Sequence, residues 1–209
     1  MAHVDETSGR AALVDAALEL FAERGIGSVS MREIGRAAGQ RNSNAVQYHF
    51  GERGALLVAV LSPFHELVAA RRGALLDRFD GDSSPDRREL AGALVRPSAA
   101  MLEEVDGRHY LRIVAELIGE PDNLRGPLAG MGLARWDRTA RQHMPPSTLP
   151  LHRRFSAMHL CFTELGRRAA TRRRRDHRLF VSDLVDLTTG VLGADVSDET
   201  LRLLADRDS

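Results

Sequence analysis

Apolar residues in this chain recur at steps of three and four from one end to the other, and no run alternates in the manner of a strand. That period gathers apolar side chains into one stripe along a helix, so an all-α fold is expected. Leu13, Val14, Ala17, Leu18, Leu20 and Phe21 share one broad face of a first helix. Thr7 or Ser8 is its expected cap and Gly25 its expected end. Ser30 with Glu33 three positions on is a capping box, and it starts a short second helix burying Met31, Ile34 and Ala38. Gly39 ends that helix.

The next stretch, AAGQRNSNAVQYHF at 37 to 50, reads as a turn and a short third helix. At about 100° per residue, Asn44, Gln47 and Tyr48 share one face, with Arg41 beside them if the helix reaches back that far. Val46 and Phe50 fall opposite, and Ala45 and His49 lie at the border. Amides match the adenine edge and a guanidinium matches guanine in the major groove. A short second helix followed by a turn and a helix with such a face is a helix-turn-helix arrangement.

A fourth helix starts near Gly51 and carries Ala55, Leu56, Val60 and Leu61, and Ser62-Pro63 is expected to kink or restart it before it continues to about residue 79. Residues 80 to 85 read as a loop, with Ser84-Pro85 as N-cap and first helical position. Further helices are expected over about 86–105, 107–119, 128–143, 149–173, 177–193 and 198–206. The breaks between them are rich in Pro, Gly and Asp.

Composition narrows the class. The 29 basic and 29 acidic residues cancel, every basic residue is Arg, and 43% of the chain is apolar, so the chain buries a core and has no disorder signature. A single cysteine, Cys161, excludes an internal disulfide. The polar first residues hold no signal-peptide core, and the longest apolar run, residues 55–61, is far short of a membrane span. A cytoplasmic protein without membrane association is expected.

Taken together, Arg10, Ala16-Ala17, Leu20-Phe21, Gly25, Ser30 to Ile34, Ala38-Gly39, Phe50, Arg53 and Leu56 resemble the tetracycline-repressor (TetR) family of one-component bacterial regulators. The resemblance spans roughly residues 10 to 60. It implies an N-terminal three-helix DNA-binding domain, taken as 1–55, and an all-helical ligand-binding and dimerisation domain, 56–209. Three features depart from the family's usual pattern. The Gly39–Phe50 spacing is one residue longer, Gln47 stands where tyrosine is common with Tyr48 displaced by one, and Arg53 replaces a phosphate-binding lysine. The candidate DNA-contacting set is Arg32, Arg41, Asn42, Ser43, Asn44, Gln47, Tyr48, His49 and Arg53.

The region after the resemblance offers two weaker signals. Leu151, Phe155, Met158, Phe162 and Leu165 form a seam with steps of four and three, and Phe180, Leu184, Leu187 and Val191 repeat the rhythm. Both seams suit a homodimer built as a four-helix bundle, or simply the core of one subunit. Phe64, Met101, Met131 and Met158 are adaptable fillers, and Tyr110 and Trp136 add polar handles. They suggest a pocket between helices for a small, largely apolar effector, or else a solid core. The basic run at 167–176 reads as a solvated helix end. The histidines have no metal-ligand spacing, and no motif calls for a cofactor or a catalytic nucleophile.

Two functional classes follow. One is a dimeric repressor that binds a near-palindromic double-stranded operator and responds to a small molecule. The other is an all-helical enzyme or adaptor that carries a helix-turn-helix without such control.

Overall fold

The computed structural model describes residues 2–42, 44–79, 84–119, 121–171 and 176–207. Every regular element among them is helical: α1 (Ala2–Arg24), α2 (Met31–Ala37), α3 (Ala45–Phe50), α4 (Arg53–Leu76), α5 (Arg87–Ala99), α6 (Val105–Leu117), α7 (Leu133–His143), α8 (Arg153–Ala169), α9 (Arg178–Gly193) and α10 (Asp198–Arg207). Short 3-10 turns fill several of the connections, notably Ile26–Ser28, Ala129–Met131 and Pro146–Leu151.

Local chemistry accounts for several boundaries. The Ser30 hydroxyl accepts from the Glu33 backbone N–H at 3.2 Å while the Glu33 carboxylate accepts from the Ser30 N–H at 2.8 Å, so α2 starts on a complete capping box. Gly39 adopts φ 68°, where a Cβ would be strained, and turns the chain from α2 toward α3. Several expected boundaries move. The first helix runs back to Ala2, so Thr7 and Ser8 lie inside it rather than capping it. The cap of α5 is Asp86, not Ser84, because Asp86 and Glu89 exchange two hydrogen bonds at 2.8 and 2.9 Å and satisfy two helix-end N–H groups. The expected helix over 149–173 resolves into the Pro146–Leu151 turn and a shorter α8. The run of basic residues at 172–175 lies outside the described residues.

Pro63 does not interrupt α4, which is continuous from Arg53 to Leu76. By length and composition this helix is apolar enough to cross a membrane, more so than its longest unbroken apolar run suggested. Its buried side chains, among them Leu56, Leu61, Val68 and Leu76, instead face the protein core.

Helix α1 lies against α2, α4 and α6. In the larger region α6 packs on α8, α5 on α9, and α8 on α9. The α6–α8 approach depends on Gly166, where a Cβ would fall 2.3 Å from the Ala115 Cβ. The expected seam is largely consumed by this packing. Met158, Phe162, Leu165 and Leu184 are buried within their own subunit, so they are not available to a partner. Leu151, Phe155, Phe180 and Val191 are half-buried, and of the proposed seam only Leu187 is exposed, at 50%. Steps of three and four record that a helix face is apolar, and here the face is covered by neighbours from the same chain.

Candidate nucleic-acid interface

Helix α3 has six residues, too few to be stable alone, so tertiary packing holds it. Ala45, Val46 and Phe50 are its buried face. Arg10 of α1 covers the Phe50 ring with its guanidinium 4.9 Å from the centroid. The start of the helix is shaped by Asn42, whose side-chain oxygen accepts from the Asn44 backbone N–H at 2.9 Å. Asn42 is thereby partly committed to the turn.

This anchoring leaves Asn44, Gln47 and Tyr48 exposed together, with Tyr48 at 72%. Arg41 is exposed too but sits in the turn, since the helix does not reach back to it. His49 is half-buried and stacks edge-on to Tyr48, with ring centroids 5.1 Å apart. Arg32 lies on α2 and lines two recesses. One, of about 170 Å³, is shared with Arg36, Gln40, Arg41 and Asn42. The other, of about 290 Å³, is shared with Asn44, Gln47 and Arg53. Ser43 lies outside the described residues. The surface thus presents amides, a phenol and three guanidinium groups on α2, the turn and α3. Arg36 was missed from the sequence, although its position four after Arg32 places both on one face of α2.

Arg53 departs from its expected role. Its two terminal nitrogens donate to the carbonyls of Ile26 and Val29, and its guanidinium lies 5.8 Å from the Phe21 ring centroid. The side chain therefore faces the turn before α2 instead of standing free for a phosphate. The same turn is also held by α6. The Ile26 backbone N–H donates to both carboxylate oxygens of Glu116, on α6, at 3.1 and 3.0 Å. Beside it, the Glu33 carboxyl is pulled down to about 2 by the Ser30 backbone N–H, the Ser30 hydroxyl and Arg24. It therefore stays ionised and keeps the α2 cap intact at neutral pH.

The proposed effector residues are placed unevenly. Phe64 and Tyr110 stack with centroids 5.0 Å apart, and His65 meets the same Tyr110 ring edge-on at 5.6 Å. Met101, Tyr110, Met131, Trp136 and Met158 are buried. Trp136 donates its indole N–H to the Leu90 carbonyl at 2.8 Å, so its polar handle is already occupied. These residues are packed as core, as expected of fillers at helical spacing. Open recesses of about 760 and 690 Å³ lie elsewhere, both bordered by Glu23 of α1 and by Val105 and His109 of α6.

A helix-turn-helix whose polar face is exposed, carried on a larger helical body, defines a DNA-binding regulator. Residues 13–60 match the family model of the bacterial regulatory proteins of the tetR family. The amino-terminal region thus carries a domain of the TetR family of bacterial regulatory proteins. The whole fold is similar to a structure from Rhodococcus sp. assigned to that family (TM-score 0.53, 21% identity, covering 90% of this chain and 100% of the other). Mycobacterium smegmatis AmtR is a weaker likeness (TM-score 0.45, 22% identity, covering 93% and 91%). No curated protein matches the sequence at a significant level.

Proposed function

We propose that the chain is a homodimeric repressor that binds a near-palindromic operator and releases it when a small molecule occupies the region after residue 55. The observation that carries this reading is the double hold on the Ile26–Val29 turn. Arg53, at the start of α4, and Glu116, on α6, both grip the turn that leads into α2. Farther along, α4 carries Phe64, His65 and Arg72, and α6 carries Tyr110, all in one cluster. A ligand that moves either helix therefore moves the base of the DNA-binding unit. Coupling of this kind is typically 1–3 kcal/mol, or roughly 5- to 150-fold in operator affinity.

In this reading Asn44, Gln47 and Tyr48 meet base edges, while Arg32, Arg36 and Arg41 meet the phosphate backbone. One six-residue helix touches few base pairs, and two-fold symmetry doubles the contacts. The surface best suited to pairing is the outer side of α9, where Leu179 (82% exposed), Ser182, Asp183, Leu187 and Gly190 are exposed. Repression by such a protein takes place in the cytoplasm, where its operator lies.

The test is selection of bound duplexes from a random pool by the purified protein, followed by salt titration on the recovered site. Two half-sites about one helical turn or somewhat more apart are expected. Recovery of single, asymmetric sites would overturn the dimer, and no enrichment at all would overturn sequence-specific repression.

A further inference from the structure

Arg72, on α4, is wholly buried, and no carboxylate stands beside it among the described residues. Its partners are all neutral. Nε donates to the Ala93 carbonyl at 3.2 Å, and Nη2 donates to the Leu94 carbonyl and the Ser98 hydroxyl, each at 3.1 Å. Nη1 donates to the Met131 carbonyl. One reason for a donor at this place is local. Pro97, inside α5, has no N–H, which leaves the Ala93 carbonyl four residues back without its helical partner. That explains a donor but not a charge, since a neutral side chain such as Gln would fill the same gap. A buried cation without an anion is costly, and the usual remedy is a paired carboxylate.

Two further polar atoms in the same cluster lack partners. The Tyr110 hydroxyl and His65 Nε2 are buried with no hydrogen-bond partner among the described residues. Both side chains feel the Arg72 charge, and their rings meet at 5.6 Å. Burial lowers the Arg72 pKa only to about 10, so the guanidinium stays protonated, and the same burial pushes the Tyr110 hydroxyl upward, so it stays a neutral donor. A cation, a hydroxyl donor and an imidazole nitrogen are thus buried in one cluster, with Phe64 stacked on the Tyr110 ring.

We propose that this cluster is the binding site for a small carboxylic acid with an aromatic or apolar body. The carboxylate pairs with the Arg72 guanidinium and accepts from the Tyr110 hydroxyl, and the body lies among Phe64 and its apolar neighbours. A guanidinium fork matches a carboxylate in shape and charge. The cover is the Ala129–Met131 turn, which packs on α4, and the Gly130 backbone lies so close to His65 that a Cβ would sit 3.1 Å from Nδ1. An entering carboxylate takes the place of the Met131 carbonyl on Arg72 and lifts that turn. The assignment rests on the reading of this region as the effector-binding part, and it names the ligand class.

The test uses the full-length protein with phenylacetate, indole-3-acetate and octanoate, each beside its primary amide. Binding is measured by calorimetry, and operator release is scored separately by fluorescence anisotropy. At least one acid should bind, with its amide at least tenfold weaker. Tyr110→Phe should keep the fold and lose at least fivefold in affinity for that acid, and Arg72→Gln should abolish binding. Failure of all three acids to bind, equal binding of acid and amide, or full affinity in Tyr110→Phe would overturn the site. Acid binding without operator release would leave the site standing and overturn the effector reading. Release by the amides as effectively as by the acids would do the reverse.

Discussion

Replacing Arg53 by Met separates two roles for one side chain. Methionine keeps most of the apolar stem and removes the charge and both donors. In the structure the guanidinium donates to the Ile26 and Val29 carbonyls and lies over Phe21. Hydrogen bonds from a charged group contribute about 1.5–3 kcal/mol each, and the lower figure applies at this half-buried site. The contact with Phe21 is long and adds about 0.5 kcal/mol at most. The sum is about 3 kcal/mol, which for a chain of this size lowers the thermal midpoint by roughly 6–12 °C. Circular dichroism melts of the wild type and Arg53→Met measure the midpoint. Operator affinity at several salt concentrations measures the phosphate contacts. The expected outcome is a lower midpoint with an unchanged slope of log affinity against log salt. An unchanged midpoint with a slope reduced by about one unit would show that Arg53 is a phosphate contact. The inward hold on the turn would then be refuted.

Gln47→Ala should cost roughly 1–3 kcal/mol in operator binding and relax preference at one position of each half-site, read by competition among single-base variants of the operator. Leu187→Asp should yield monomers without loss of helicity, because Leu187 is half exposed, whereas Leu184→Asp should unfold the chain, because Leu184 is buried; sedimentation and circular dichroism on both variants check this. His65 has its pKa lowered to about 4 by burial and by Arg72, so the folded state resists a proton that the unfolded chain accepts near its ordinary value. Stability should therefore be full above about pH 7 and fall by roughly 2 kcal/mol between pH 7 and pH 5, and this component should be missing from urea titrations of His65→Gln. Glu116→Gln should leave operator affinity close to wild type and reduce its response to an effector, since the Ile26 N–H then loses a charged acceptor; equal effector responses in the two proteins would exclude α6 as a route.

The parts of this protein that its sequence determined are those decided within about four residues. The Ser30–Glu33 capping box, the turn at Gly39, the buried pair Val46 and Phe50 and the exposed face of Asn44, Gln47 and Tyr48 all follow from helical geometry and local hydrogen bonding. Local rules misplaced the α5 cap at Ser84 because two adjacent caps were available, and only Asp86 had Glu89 at the matching distance to answer it. What tertiary structure decided is where each long side chain ends and which apolar faces meet. The direction of Arg53 depends on carbonyls 24 and 27 residues away. The hold by Glu116 spans 90 residues. The spacing of Phe162 and Leu184 is the same for a dimer seam and for a subunit core, and only the packing of α8 and α9 within one chain separates the two. Arg72 is legible as an arginine in an apolar helix, but its burial against the carbonyl freed by Pro97 requires α4 and α5 to be side by side. Helical periodicity specifies that a face is buried, and the partner that buries it is set by the free energy of packing the whole chain.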